Sequence, residues 1–146
     1  MSDAEDTFFL DTNVLVYAVD EADLAKQQIA VALVREAILS GRGIISIQVV
    51  QEFLNVARRK FKQPMTIEQC RGHIRNVLEP LCAYFPSIST TDRALLVIEE
   101  TGSHFYDALI VTAAIESGCR TLYSEDLQHG RKVQGLTILN PFIGAE

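Results

Sequence analysis

Residues 103–123 read SHFYDALIVTAAIESGCRTLY, and their order decides the fold class. Ser103 can cap a helix that runs through Asp107 to Ser117, with no glycine or proline to interrupt it. Gly118 ends that helix, and after a short turn Thr121-Leu122-Tyr123 reads as a strand. The same alternation of helix and short apolar run recurs upstream. Residues 7–10 (TFFL) form a buried strand that stops at Asp11. Asp20 or Asp23 caps a helix to about Ser40, Gly41 and Gly43 end it, and residues 44–46 form a second strand. Residues 47–61 are helical, with Val49, Phe53, Val56 and Ala57 on one stripe, until Pro64 breaks the run. Thr66-Ile67-Glu68-Gln69 has the form of a capping box and opens a helix to about Leu81. Residues 84–89 predict a strand interrupted by Pro86, and Thr90 or Thr91 caps a helix over 92–101 that Gly102 closes. Residues 136–139 form a last strand before Pro141. Short strands separated by helices predict an α/β fold: a mostly parallel sheet with helices on its faces, in three α/β/α layers. With 146 residues and no repeat, low-complexity tract or linker, a single domain over residues 1–146 is expected.

The composition, 48% hydrophobic and 22% charged, is that of a globular chain rather than a disordered one. No apolar run approaches the roughly 20 residues that span a bilayer. The N-terminus, MSDAEDTFF, opens with acids where a secretory signal carries positive charge. A cytoplasmic protein without a membrane partner is expected. Cys70, Cys82 and Cys119 are odd in number and lack a CxxC spacing, so they predict neither a disulfide framework nor a zinc site. His73, His104 and His129 likewise lack metal-ligand spacing. The net charge of −6 argues against a general electrostatic grip on nucleic acid. It suits either small-molecule metabolism or an acidic pocket for cations, where two divalent ions would offset four of those charges.

Four acids fall where chemistry is expected. In an open α/β sheet, ligands gather beyond the carboxyl ends of the strands. Asp11 follows TFFL directly, Asp126 lies three residues beyond Tyr123, Glu52 is on the helix after residues 44–46, and Asp107 is in the first turn of its helix. Glu52 and Asp107 are surrounded by apolar residues with no Lys or Arg close in sequence. A carboxylate costs several kcal/mol to bury alone, so such groups are neutralised, paired or bound to metal. Taken singly, Asp11 could cap a short helix, Glu52 could face solvent, Asp107 could answer a helix dipole, and Asp126 could be a turn residue. Of the pair Glu125-Asp126, either carboxylate could face the pocket.

The segments FFLDTNVLVYA, SIQVVQEFLNV, FYDALIVTAA and LYSEDLQHG, in this order and spacing, resemble the PIN-domain nucleases, and within them the VapC toxins of toxin–antitoxin pairs. The resemblance runs from about Thr7 to Pro141. It implies Asp11, Glu52 and Asp107 as the core metal-binding and catalytic acids, with Asp126 as the fourth. Asn13 and Ser124 match supporting positions. It further implies Mg²⁺ or Mn²⁺ as cofactor, RNA as substrate, a cognate antitoxin protein as partner, and a homodimer.

Carboxylates without His or Cys suit Mg²⁺ or Mn²⁺ rather than zinc. Two such ions, about 3.5–4 Å apart, would activate water and stabilise the departing oxygen. In-line attack would then leave 5′-phosphate and 3′-hydroxyl ends, with no serine–histidine pair required. Arg58 and Arg59, with Lys60 and Lys62 behind them, follow Glu52 by about two turns and are candidates for holding RNA; Arg71, Arg75, Arg93, Arg131 and Lys132 are others, and His129 could assist or lie in a surface turn. A receiver-like signalling domain would need an acidic pair after the first strand and a late lysine, and a DxDx phosphatase fails because position 13 is Asn. A catalytically silent binding module with the same fold stays open, as does an RNA-processing nuclease without a toxin role.

Overall fold

The computed structural model describes residues 6–145. Strand β1 (Phe8–Leu10) is buried at all three positions, as three consecutive apolar residues require of a strand covered on both faces. Asp11 then caps α1 (Thr12–Val19), the short helix that its position allowed. Of the two candidate caps for α2 (Leu24–Ser40), Asp23 is the one used, its side chain accepting from the Lys26 backbone. Gly41 closes α2 in the left-handed conformation, φ 70°. Gly43 does not belong to the helix end: it starts β2 (Gly43–Ser46), where a Cβ would collide with Ala37 of α2.

Helix α3 (Ile47–Arg59) buries Val49, Phe53 and Ala57, while Val56 stays half-buried. Thr66 and Gln69 form the expected capping box at the start of α4 (Ile67–His73). The helical path continues through a π turn (Ile74–Leu78) into α5 (Glu79–Leu81), reaching Leu81 as expected. Pro80, which lacks an N–H and crowds the preceding turn, accounts for the widened backbone. The strand expected over residues 84–89 is instead β3 (Cys82–Tyr84), which ends before Pro86. The following helix, α6 (Ile88–Thr101), begins earlier than expected. Its cap is Ser87, and Thr90 is the third-position partner of a Ser87–Thr90 capping box. Helix α7 (Phe105–Glu116) is preceded by His104, not Ser103, at the cap position. Then come β4 (Thr121–Tyr123), β5 (Lys132–Val133) and β6 (Leu136–Leu139).

The sheet order is β3-β2-β1-β4-β6-β5, parallel throughout except for β5 against β6. That hairpin turns through Gln134 (φ 49°) and Gly135 (φ 86°), two consecutive positive-φ residues as a type I′ turn demands. The expectation of a mostly parallel sheet flanked by helices is met. From β1 the chain builds outward through β2 and β3, then returns to place β4 on the other side of β1. The β1–β4 boundary is therefore the switch point of the sheet, the place beyond the carboxyl ends where open α/β sheets bind ligands.

Candidate active site

Leu10 and Tyr123 are register partners at the ends of β1 and β4, so Asp11 and Ser124 leave the sheet side by side. The Asp11 backbone N–H donates to the Tyr123 carbonyl at 3.0 Å. The Asp11 carboxylate is 7% exposed and uses both oxygens. Oδ1 accepts from the Thr12 backbone at 2.7 Å, the helix cap, and Oδ2 accepts from Ser124 Oγ at 2.7 Å. Capping and membership of an acid cluster are thus compatible roles of one side chain.

Thr12 Oγ1 donates to Glu52 Oε1 at 3.0 Å, which draws α3 to the end of β1. Gln48, one turn before Glu52, donates from Nε2 to Glu52 Oε1 at 3.5 Å and to the Tyr106 carbonyl at 3.2 Å. It thereby joins α3 to the first turn of α7, where half-buried Asp107 sits. On the other side, Asn13 Nδ2 donates to Asp126 Oδ2 at 3.1 Å, and the Asp126 backbone N–H donates to Ser124 Oγ at 3.3 Å. Glu125 turns away: its Oε1 accepts from Tyr17 Oη at 2.6 Å and its Oε2 pairs with Lys26 Nζ at 2.5 Å. Asp126, exposed to solvent, is the member of the pair on the cluster side.

The electrostatics follow from burial and crowding. Burial pushes the Asp11 carboxyl up to about 6; the charges of Asp126 and Glu52 push the same way, while hydrogen bonds from Ser124 and Thr12 oppose them. Burial also raises Asp107, helped by the charge of Asp126 and opposed by His104. The ion pairs of the described residues involve Lys26, Arg42, Arg93 and Arg120, and none reaches Asp11, Glu52, Asp107 or Asp126. Charge coupling thus links Asp11 to Glu52 and Asp126, and Asp107 to Asp126, with no ion pair to any of the four among the described residues. Among the described residues no three metal-binding side chains stand close enough to enclose an ion without adjustment. The donor set, oxygen only, fits a hard divalent cation, and these four side chains are the ones that would hold it.

Arg58 and Arg59 are not part of this cluster. They lie in the last turn of α3, which suits the helix dipole, and line a shallow cavity of about 340 Å³ with Leu54 and Asn55. Among the other basic candidates, Arg93 pairs with Glu116 at 2.9 Å and Arg131 donates to the Thr101 carbonyl at 3.2 Å. His129 Nδ1 accepts from the Asn140 backbone at 2.9 Å, a role in an exposed turn. Sequence reasoning passed over Thr12, Gln48, Tyr17 and Lys26. The i, i+4 spacing of Gln48 and Glu52 on one helix was a usable signal. Nothing local linked Lys26 to Glu125, 99 residues away.

The family model of the PIN domain matches residues 8–133. No curated protein sequence matches the chain significantly. Three solved structures share its fold at low identity. A toxin–antitoxin complex from Klebsiella pneumoniae has a chain with a TM-score of 0.63 and 16% identity, over 92% of this chain and 98% of that one. FitAcB from Neisseria gonorrhoeae gives 0.63 and 16%, over 93% and 99%. VapBC2 from Rickettsia felis, bound to a DNA fragment from their promoter, gives 0.58 and 19%, over 90% and 96%.

Proposed function

The chain belongs to the PIN domain family, and from that membership we propose that it is a divalent-metal-dependent endoribonuclease, the toxin of a type II toxin–antitoxin pair. The observation that carries this reading is the set of four carboxylates at the β1–β4 switch point with no counter-cation among the described residues. Mg²⁺ or Mn²⁺, when bound there, would polarise the phosphodiester and make water a competent nucleophile near neutral pH.

The protein's share of the work is orientation and charge. Ser124 and the Thr12 backbone hold Asp11 with each oxygen in a fixed direction. Thr12 Oγ1 and Gln48 aim Glu52, and Asn13 aims Asp126. Such partners fix ligand geometry before a cation arrives, so little rearrangement opposes binding. Arg58 and Arg59 extend beyond the acids along α3 and would contact the RNA backbone, offsetting the chain's net charge of −6 locally.

On this reading the whole chain acts as one cytoplasmic nuclease domain, paired with a second copy and silenced by a cognate antitoxin. The fold neighbour from Klebsiella pneumoniae, named as a toxin–antitoxin complex, supports the last point. No helix of the described residues is long and apolar enough to cross a membrane. The test is direct. Purified protein, freed of any partner, is incubated with a total-RNA pool in Mg²⁺, Mn²⁺ or EDTA, beside Asp107→Asn. Cleavage in metal that EDTA and the substitution both remove is the expected result; cleavage that survives EDTA rejects the metal mechanism.

A further inference from the structure

We infer that Lys26 and Tyr17 are positioning residues that hold Glu125 out of the acid cluster and thereby fix Asp126 in it. The inference rests on the metal-nuclease reading above and deepens it.

Three consecutive side chains beyond β4 take three different partners. Ser124 reaches Asp11, Glu125 reaches Tyr17 and Lys26, and Asp126 reaches Asn13. Without the middle contact, a fifth carboxylate would be free to crowd four others. The Lys26–Glu125 pair is built into the packing: the side chains are only 16% and 23% exposed. Lys26 Nζ lies 5.0 Å from the Tyr17 ring centroid and 6.0 Å from that of Phe142, and these rings meet edge to face at 4.9 Å. A cation seated on two aromatic rings is held more firmly than one on a surface stem. Its own backbone is anchored by the Asp23 cap at 3.1 Å.

The path from this clamp to the cluster is one side chain long. The Glu125 backbone N–H donates to Asn13 Oδ1 at 3.3 Å, and Asn13 Nδ2 donates to Asp126 Oδ2 at 3.1 Å. A shift of Glu125 therefore reaches Asp126 through Asn13. Charge gives a second argument. Among the described residues, the ion pair at this loop engages the acid outside the cluster, and no ion pair engages the four inside.

The experiment measures Mn²⁺ binding to the purified full chain by calorimetry and electron paramagnetic resonance, with melting in EDTA recorded separately. Lys26→Met should weaken Mn²⁺ binding about tenfold, the lower range for partners of metal ligands. Tyr17→Phe, which keeps the ring packing, should weaken it less. Lys26→Met combined with Glu125→Gln should recover most of the lost affinity, because the freed charge is gone. Unchanged affinity in both single variants overturns the inference. So does a loss that Glu125→Gln leaves unrelieved, the signature of mere structural damage. Should Lys26→Met fail to fold, Tyr17→Phe alone decides. Wild type that shows no Mn²⁺ binding dependent on Asp107 overturns the metal reading itself, and the inference with it.

Discussion

Ser124 Oγ donates a 2.7 Å hydrogen bond to Asp11 Oδ2 across 113 residues of chain, joining the ends of the two central strands at the acid cluster. A hydrogen bond to a carboxylate favours its charged form, and this one opposes the burial that lifts Asp11. Ser124→Ala should therefore raise the Asp11 titration midpoint further above about 6. It should also weaken Mn²⁺ binding by about tenfold, as expected for loss of a ligand's partner. Carboxyl NMR titration checks the first outcome and calorimetry the second; an unmoved midpoint would show that the bond does not govern Asp11.

Substitution of the acids by their amides keeps shape and removes charge. Asp11→Asn and Asp107→Asn should each lower RNA cleavage by at least about a hundredfold while circular dichroism stays unchanged. Asp126, exposed and held among the described residues through Asn13 and its own backbone, should cost less when changed to Asn. Cleavage at wild-type rates in both core variants refutes the assignment.

The raised Asp11 carboxyl makes a signed prediction about pH. Its ordinary value is 3.8 and its folded value about 6, so the folded chain holds this proton more tightly than the unfolded chain. Below about pH 4 both states are protonated and the group is neutral in the balance. As pH rises from about 4 to 6 the unfolded state releases the proton first, and stability falls. Above that window the cost is fully present, on the order of 3 kcal/mol for a shift of this size. In EDTA, wild-type unfolding free energy relative to Asp11→Asn should decline between pH 4 and pH 7. A difference that stays flat or rises would contradict the burial argument.

Much of the fold was legible because its signals were local. The capping box Thr66–Gln69, the glycine stops at 41 and 102, and the apolar strands before Asp11 and Ser124 each lie within a few residues. Errors arose where the signal was weak or shared. The sequence places Pro86 inside a strand, whereas it separates β3 from a helix whose capping box uses Thr90 in place of the usual Glu or Gln. The two-residue β5 was too short for any periodicity, and its turn carries Gln134 rather than the Asn or Asp that advertises a hairpin. At the site, Glu52 and Asp107 stand out in the sequence as carboxylates in apolar surroundings, and Asp11 by its place directly after a strand. The choice between Glu125 and Asp126 did not, because it depends on Lys26 and Tyr17, about a hundred residues earlier in the chain.

Crowded carboxylates repel one another, and a cation that binds only the native state stabilises it by mass action. Millimolar Mg²⁺ or Mn²⁺ should raise the melting temperature of wild type more than that of Asp107→Asn. Raising pH from 5 to 7.5 should enlarge the wild-type shift, since protons compete for Asp11 below about 6. Equal shifts in both proteins would place the bound metal elsewhere.

The final prediction concerns the partner. A nuclease with no metal selectivity beyond hard divalent ions would be active wherever cellular Mg²⁺ reaches it, so the host needs a device to silence it. The acid cluster itself suggests that device: it presents carboxylates with no counter-cation among the described residues, and an inserted Arg would match them with its planar fork. Such a residue and a divalent ion would compete for the same oxygens. The apolar stripe on α3 does not offer a seat, since Val49 and Phe53 are fully buried and only part of Val56 is exposed. Expression of this chain alone should therefore arrest growth, Asp107→Asn should abolish the arrest, and co-expression of a small neighbouring gene should relieve it. The purified pair should bind less Mn²⁺ than the free chain, and substitution of the partner's inserted arginine should restore binding. Harmless solitary expression of a chain that cuts RNA in vitro would reject the toxin role and leave the nuclease standing.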